Sequence, residues 1–267
     1  PIPLNWVMGA QAQLRQDEVD EVWVVFDHDN HPARKEAFDS AEEIVNGIKV
    51  NIAFSSRSFE YFMLLHYERI HHRFENTECK DAEKRVIGCG RNNGNENDCK
   101  GFACINGYAR VNGYWTESKQ HSVFPLLKDR FALGFWNSQW LRKESDLLNV
   151  NTPIWDRNPY VTTDALVKRL TGTWLEIEVP YRFKEGLEIA LLRNGMIQLS
   201  NVTDHTVIVP QEIVKRFDLA GNFLESIGSR KVLATSNQDS MDLSQYLATE
   251  CYFAFELWGK QIKFFLG

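Results

Sequence analysis

The most constraining stretch of this chain is Val22-Trp23-Val24-Val25-Phe26, an unbroken apolar run that stops abruptly at Asp27-His28-Asp29-Asn30-His31-Pro32. A run of β-branched and aromatic residues without polar alternation reads as a strand buried on both faces, the kind found in parallel sheets covered by helices. The polar hexapeptide contains turn formers and a proline, which a strand interior does not accommodate. Asp27 and Asp29 therefore fall at the carboxyl end of a core strand. Ligands of open α/β sheets bind there, and hard cations such as Mg2+ or Mn2+ prefer carboxylate oxygens. Spacing alone leaves a second reading of equal weight, in which both aspartates are turn residues that cap the next helix.

The flanking sequence supports a layered α/β region. Residues 4–16 predict a helix, and residues 34–47 an amphipathic helix with Ala37, Phe38, Ala41, Ile44 and Val45 inward. A short strand follows at 49–54. Residues 58–74 then carry Phe59, Phe62, Met63, Leu64, Leu65 and Tyr67 at helical spacing, with Ser55, Ser56 or Ser58 placed to cap the start. Strand, helix, strand, helix in this order predicts a parallel sheet. Residues 75–113 are rich in Gly, Asn and Cys and read as a surface insertion. Helical periodicity returns over 118–148, and a helix over 158–170, capped near Thr162 or Thr163, closes a first domain of residues 1–171. Beyond it, β-like segments at 174–180, 187–192, 196–199, 206–209, 231–235 and 251–266 predict a smaller, mainly β domain, a sandwich or barrel, over 172–267.

A chain of 267 residues can bury two ordinary cores, and its 43% hydrophobic, 25% charged composition is that of a globular protein. No apolar run approaches the roughly 20 residues that a membrane helix needs. The net charge of −6 provides no global basic field, so contact with nucleic acid would require a local patch or a bridging metal. The start of the chain shows no charged-then-apolar leader, which predicts a cytoplasmic protein. Because it opens on Pro1 and not on methionine, upstream sequence is expected. Oligomeric state, including a homo-oligomer, is left open.

Residues 21–29 (EVWVVFDHD) are followed by Ala53-Phe54-Ser55-Ser56-Arg57-Ser58-Phe59-Glu60-Tyr61-Phe62-Met63-Leu64-Leu65-His66-Tyr67. This order and spacing resemble the RloB-like family, in which a strand ending in FDxD precedes a Ser-Asn-Pro-x-Phe-Glu-x-Trp-Leu-Leu-Leu-His helix. Asn158-Pro159, Thr162 and Leu166-Val167-x-x-Leu170 are similar to the family's closing Asn-Pro-Ser-Thr helix. The resemblance covers residues 20 to 170. It implies a Toprim-type nuclease domain related to bacterial anti-phage abortive-infection proteins, often encoded beside an ATPase that would be a partner. It further implies that Asp27 and Asp29 bind Mg2+ or Mn2+, that Glu60 and His66 orient metal, water or substrate, and that the substrate is DNA, tRNA or another RNA. The pattern departs in three places. The family's glutamate from an earlier strand, in a Glu-Gly-x-x-Thr-Glu segment, has no counterpart before Val22. Ser-Asn-Pro is here Ser55-Ser56-Arg57, and the Trp is Phe62.

Other features divide between chemistry and structure. Glu60 and His66 lie six apart and point in different directions on a straight helix. A histidine on such an apolar face is more often a hydrogen-bonded core residue. Arg57, Arg69, His72 and Arg73, with His71, predict a basic strip along one helix that could touch phosphates, or a solvated helix end favoured by the dipole. Cys79, Cys89, Cys99 and Cys104 could hold a structural Zn2+, although only Cys99 and Cys104 approach the usual spacing; reduced thiols are the commoner outcome. Asn201-Val202-Thr203 is a glycosylation-type triplet without meaning in a cytoplasmic bacterial protein. Competing functions are a haloacid-dehalogenase-type phosphatase with Asp27 as nucleophile, a nucleotide-sugar transferase using Asp-x-Asp, and a non-catalytic, degenerate scaffold that docks an ATPase subunit.

Overall fold

The computed structural model describes residues 2–16, 19–78, 100–115, 124–175, 179–211, 213–247 and 249–266. The chain is mixed α/β with a mainly β C-terminal region, and it divides into two units, Pro1–Val167 and Lys168–Gly267.

In the first unit α1 (Pro3–Gln16) leads to β1 (Val22–Asp27), α2 (Arg34–Ala41), β2 (Val50–Ser56) and α3 (Phe59–Leu65). After these come α4 (Ile105–Val111), α5 (Phe131–Leu148), the two-residue strand β3 (Tyr160–Val161) and α6 (Thr163–Thr171). β1 and β2 are parallel, in register from Val22 opposite Val50 to Asp27 opposite Ser55. β3 joins the other side of β2 antiparallel, so the sheet is mixed, in the order β1-β2-β3. The expectation that β1 is a central strand buried on both faces is thus corrected. Among the described residues β1 lies at an edge of this sheet, and its Val25 is 52% exposed, whereas β2 is the inner strand and buries Ala53, Phe54, Ser55 and Ser56. An apolar run reports that a segment seeks the core, but it does not say which neighbours cover each face.

The buried face of β1 and β2 packs Val24, Phe26 and Phe54 against Val7 and Leu14 of α1 and Ala37 and Ala41 of α2. Phe26, Phe38 and Phe54 meet edge to face, with centroids 5.6–5.9 Å apart, a geometry worth about 0.5–1.5 kcal/mol per pair beyond area burial. α2 ends at Ala41, short of the expected residue 47; Val45 turns inward but Ile44 is 64% exposed. α3 is also shorter than the 58–74 helix expected. Its last carbonyl region is held from outside, since Asn137 Nδ2 of α5 donates to Leu65 O (2.8 Å). Beyond it the chain folds back, and the Tyr61 hydroxyl accepts from His72 N (3.2 Å), which fixes an irregular segment where helical periodicity continues in the sequence.

A hydroxyl network fastens β3 and α6 to β2. Thr162 N donates to Phe54 O (2.7 Å), Phe54 N donates to Thr162 Oγ1 (2.9 Å), and Tyr160 N donates to Ser56 Oγ (2.7 Å). The Ser55 and Thr163 hydroxyls lie 2.7 Å apart. Under this clasp Arg142 of α5 donates to Val161 O (2.7 Å) and grips the buried Asp164 carboxylate with both terminal nitrogens. The Ser56–Arg57 and Asn158–Pro159 peptides are cis.

The second unit holds a five-stranded and a four-stranded sheet that share one core, together with a two-stranded ribbon. The expected segment 251–266 is a hairpin of Cys251–Leu257 and Lys260–Phe264, and strands at Val214–Asp218, Phe223–Ile227 and Gln238–Asp242 join those foreseen from the sequence. These three carry Lys, Arg, Asp, Glu and Gln on partly open faces, which masks the apolar pattern. Asn201 is buried, with Nδ2 donating to His205 O and Leu233 O (2.7 and 2.9 Å) and Oδ1 accepting from Thr203 N (2.9 Å). The Asn-Val-Thr triplet is therefore a loop clamp. No helix among the described residues is long and apolar enough to cross a membrane.

Removing one partner of a buried pair strands the other charge, at a cost of about 3–5 kcal/mol. Asp164→Ala is expected to lower the urea midpoint accordingly, whereas Lys35→Ala, which breaks the exposed Lys35–Asp39 pair, should leave the midpoint essentially unchanged. Equal small effects would mean that the Arg142 clasp contributes nothing.

Candidate metal centre

β1 hands its chain to the loop in a defined way. His28 N donates to Ser55 O (3.0 Å), and Asp29 N donates to Arg57 O (3.1 Å), so the loop's first two residues stay tied to the β2 side. Asn30 then takes a left-handed conformation (φ 56°), which asparagine tolerates better than most residues, and His31 N donates to His28 O (2.9 Å) to close the turn. The turn swings His31 back toward the strand end, with Nε2 3.7 Å from Asp27 Oδ1. One ligand atom from each of Asp27, Asp29 and His31 lies within 4.8 Å of the others. The side chains are about one-third exposed at Asp27 (34%) and His31 (33%) and more open at Asp29 (58%), so solvent reaches the cluster.

Two arginines brace the loop. Arg57, whose side chain is only 10% exposed, donates from Nη1 to Asn30 Oδ1 (2.8 Å) and places Nη2 3.6 Å from Asp29 Oδ1. Arg34 bonds the His31 carbonyl and Trp155 O (3.0 Å) and pairs with Asp156 (3.1 Å). The Trp6 ring of α1 stands edge-on to the His31 ring at 6.3 Å.

The electrostatics suit a cation. Burial pushes the Asp27 carboxyl above its usual range and the Asp29 and Glu60 charges push it further, against the opposing pull of His31 and a backbone hydrogen bond. A carboxylate whose ionised form is disfavoured gains from an added positive charge. The loop's other histidine, His28, lies outside the cluster. Burial, then Arg34 and Arg57, lowers it to about 4 against the pull of Asp156 and Asp29, and its Nδ1 lies 3.5 Å from Arg57 Nη1.

The structure brings only some of the predicted site residues together. Glu60, on the first turn of α3, is close enough for its charge to act on Asp27 but lies outside the three-residue cluster. His66 is fully buried at the end of α3. Its Nδ1 is 2.9 Å from Phe62 O, its ring packs on Phe62 and Phe131, and the charges it senses are Asp164 and Arg130. Nε2 points at Gly134, where even a methyl group would sit 2.6 Å away. His66 is thus part of the α3–α5 packing.

The expected basic strip along one helix is corrected, because α3 ends at Leu65. Arg57 precedes it and faces the loop, Arg69 stacks on Trp140, His72 Nε2 contacts Phe102 O (3.2 Å), and Arg73 pairs with Glu75 (2.7 Å). Cys79, Cys89 and Cys99 lie outside the described residues; Cys104 is buried and its Sγ accepts from Gly107 N (3.3 Å), capping α4. The member of the cluster that sequence reasoning missed is His31. The turn through the left-handed Asn30 brings it beside Asp27, and no residue pattern in the sequence announces that turn.

Residues 3–170 match the model of the RloB-like protein family. The chain belongs to the RloB-like family. No curated protein and no solved structure gives a match. The RloB-like region extends upstream of the motifs to include α1, whose Trp6 touches His31, and it ends within α6. The mainly β unit, apart from its residues 168–170, lies beyond the match.

His66 supplies a pH test of its packing role. Burial lowers it from 6.5 to about 4, so the unfolded chain takes up a proton that the folded chain refuses. Its neutral ring is fully compatible with the fold above pH 6.5, and stability is lost as pH falls toward 4, by about 3 kcal/mol. Urea unfolding of wild type and His66→Leu at pH 7 and at pH 4 should show the stability gap between them shrinking by about that amount. A gap independent of pH would place His66 in a solvated setting.

Proposed function

We propose that this RloB-like protein is a metal-dependent phosphodiesterase of Toprim type that cleaves nucleic acid, acting in anti-phage abortive infection. The observation that carries the reading is the Asp27–Asp29–His31 cluster at the carboxyl end of β1, joined electrostatically by Glu60, in a chain of this family. Asp27, Asp29 and His31 would hold a divalent cation. A bound dication supplies neutralisation of phosphate charge and activation of water. The chain's own contribution is placement: the β1–β2 ladder fixes Asp27, Arg57 fixes the loop that carries Asp29, and Glu60 stands nearby as an acceptor able to orient a nucleophilic water.

DNA, tRNA or another RNA is the substrate class in this reading, with the cytoplasm as the site of action and an ATPase as partner. Mg2+ or Mn2+ is the cofactor that family resemblance implies. One observation favours a second reading, a non-catalytic scaffold that docks an ATPase. Among the described residues no glutamate joins Asp27, Asp29 and His31 in the cluster.

Purified protein is expected to cleave DNA or total RNA with a divalent metal and not with chelator. Asp27→Asn combined with Asp29→Asn should lower the rate by at least about 100-fold, that is by about 2.7 kcal/mol in barrier, with the circular-dichroism spectrum unchanged. Full cleavage by the double variant would refute the nuclease, and a protein inert under all metals and with its ATPase would favour the scaffold.

A further inference from the structure

Resting on the metal reading above, we propose that His31 is a direct ligand and that the centre selects a first-row transition dication over Mg2+. The site is then two carboxylates and one imidazole, a donor set that the Asp-x-Asp resemblance does not contain. Mg2+ favours all-oxygen surroundings and keeps its waters, whereas imidazole nitrogen raises affinity for later ions in the order Mn2+, Fe2+, Co2+.

Three observations converge on His31. Its Nε2 lies 3.7 Å from Asp27 Oδ1, too long for a hydrogen bond. Two ligands of one ion with bonds of about 2.1 Å sit about 3.0 to 4.2 Å apart, depending on the angle between them, so the spacing is that of co-ligands. The ring is also held in place by groups that make no use of Nε2: the His28–His31 turn, Arg34 on the His31 carbonyl and the edge of Trp6. Finally, the neighbouring His28, equal in chemistry and three residues away, is turned to Arg57 instead. Of the loop's two imidazoles, only that of His31 joins the carboxylates in the cluster.

The three ligand atoms come from a partly open loop end, which leaves positions for water and a phosphate oxygen. A neutral imidazole replaces what would be a third carboxylate. The bound centre consequently keeps more positive charge than an all-acid site, which favours an anionic substrate.

The test is direct binding to the full chain, by calorimetry with MgCl2, MnCl2 and CoCl2 separately and by the visible absorption of bound Co2+. Wild type should bind Co2+ at least about 10-fold more tightly than Mg2+. His31→Ala and His31→Gln should each weaken Co2+ by about 10- to 100-fold and alter its spectrum, with Mg2+ changed by less than about 3-fold. Thermal unfolding without metal should be the same for both variants and wild type, which excludes a folding defect.

Unchanged Co2+ affinity and spectrum in both variants overturns the assignment, as does wild-type affinity for Mg2+ equal to that for Co2+. The outcomes remain separable from the nuclease reading. Mg2+-supported cleavage that ignores His31 sinks this inference alone. His31-dependent Co2+ binding without cleavage of any nucleic acid sinks the nuclease alone.

Discussion

The parallel ladder between β1 and β2 carries the rest of the centre, because it does not stop where the strand does. His28 and Asp29 still donate to Ser55 and Arg57 carbonyls after β1 has ended, so the loop leaves the sheet along a fixed path. Backbone bonds set the positions of the Asp27 and Asp29 α-carbons before any side chain acts. The phenylalanine trio of Phe26, Phe38 and Phe54 anchors the same two strands and α2 on the opposite side of the loop. Packing and chemistry are thereby separated along one strand, with Phe26 facing the core and Asp27 at the rim.

Arg57 illustrates how a departure from a family pattern can be absorbed. It stands where the resemblance places a proline, and it occupies the space with a guanidinium that bonds Asn30 and approaches Asp29. A rigid ring restrains a chain by limiting its torsions, whereas a buried cation does so by bonding to what lies opposite. Near-burial of this charge is tolerable because the loop supplies oxygen partners, and the same bonds orient the loop.

Much of the first unit was legible from the sequence for a simple reason: β2, α1 and the helix near Thr163 are segments whose local pattern and tertiary setting agree. β1 was legible as a strand that breaks at Asp27, but its apolar run did not show that it lies at the sheet's edge with Val25 open. Where the two diverge, the sequence misleads. Helical spacing continues through Phe74, but the Tyr61 hydroxyl and Asn137 reward a different backbone, so α3 stops at Leu65. His66 looked chemical because it sits in a motif, while its surroundings are those of a packed ring. His31 was passed over because a lone histidine after a turn has no periodicity to reveal its direction. Only the left-handed Asn30 does that, and torsion angles are not written in residue types.

All three candidate donors lie within five consecutive residues, 27 to 31. Such a cluster closes almost no loop of chain, so a bound ion would cross-link nothing distant and would add little to the cooperativity of folding. The centre differs in this respect from a structural zinc site, where ligands far apart in sequence make the ion a staple. Fold and chemistry are modular here: a few substitutions in one turn could create, retune or erase the centre while the architecture beneath it stays as it is.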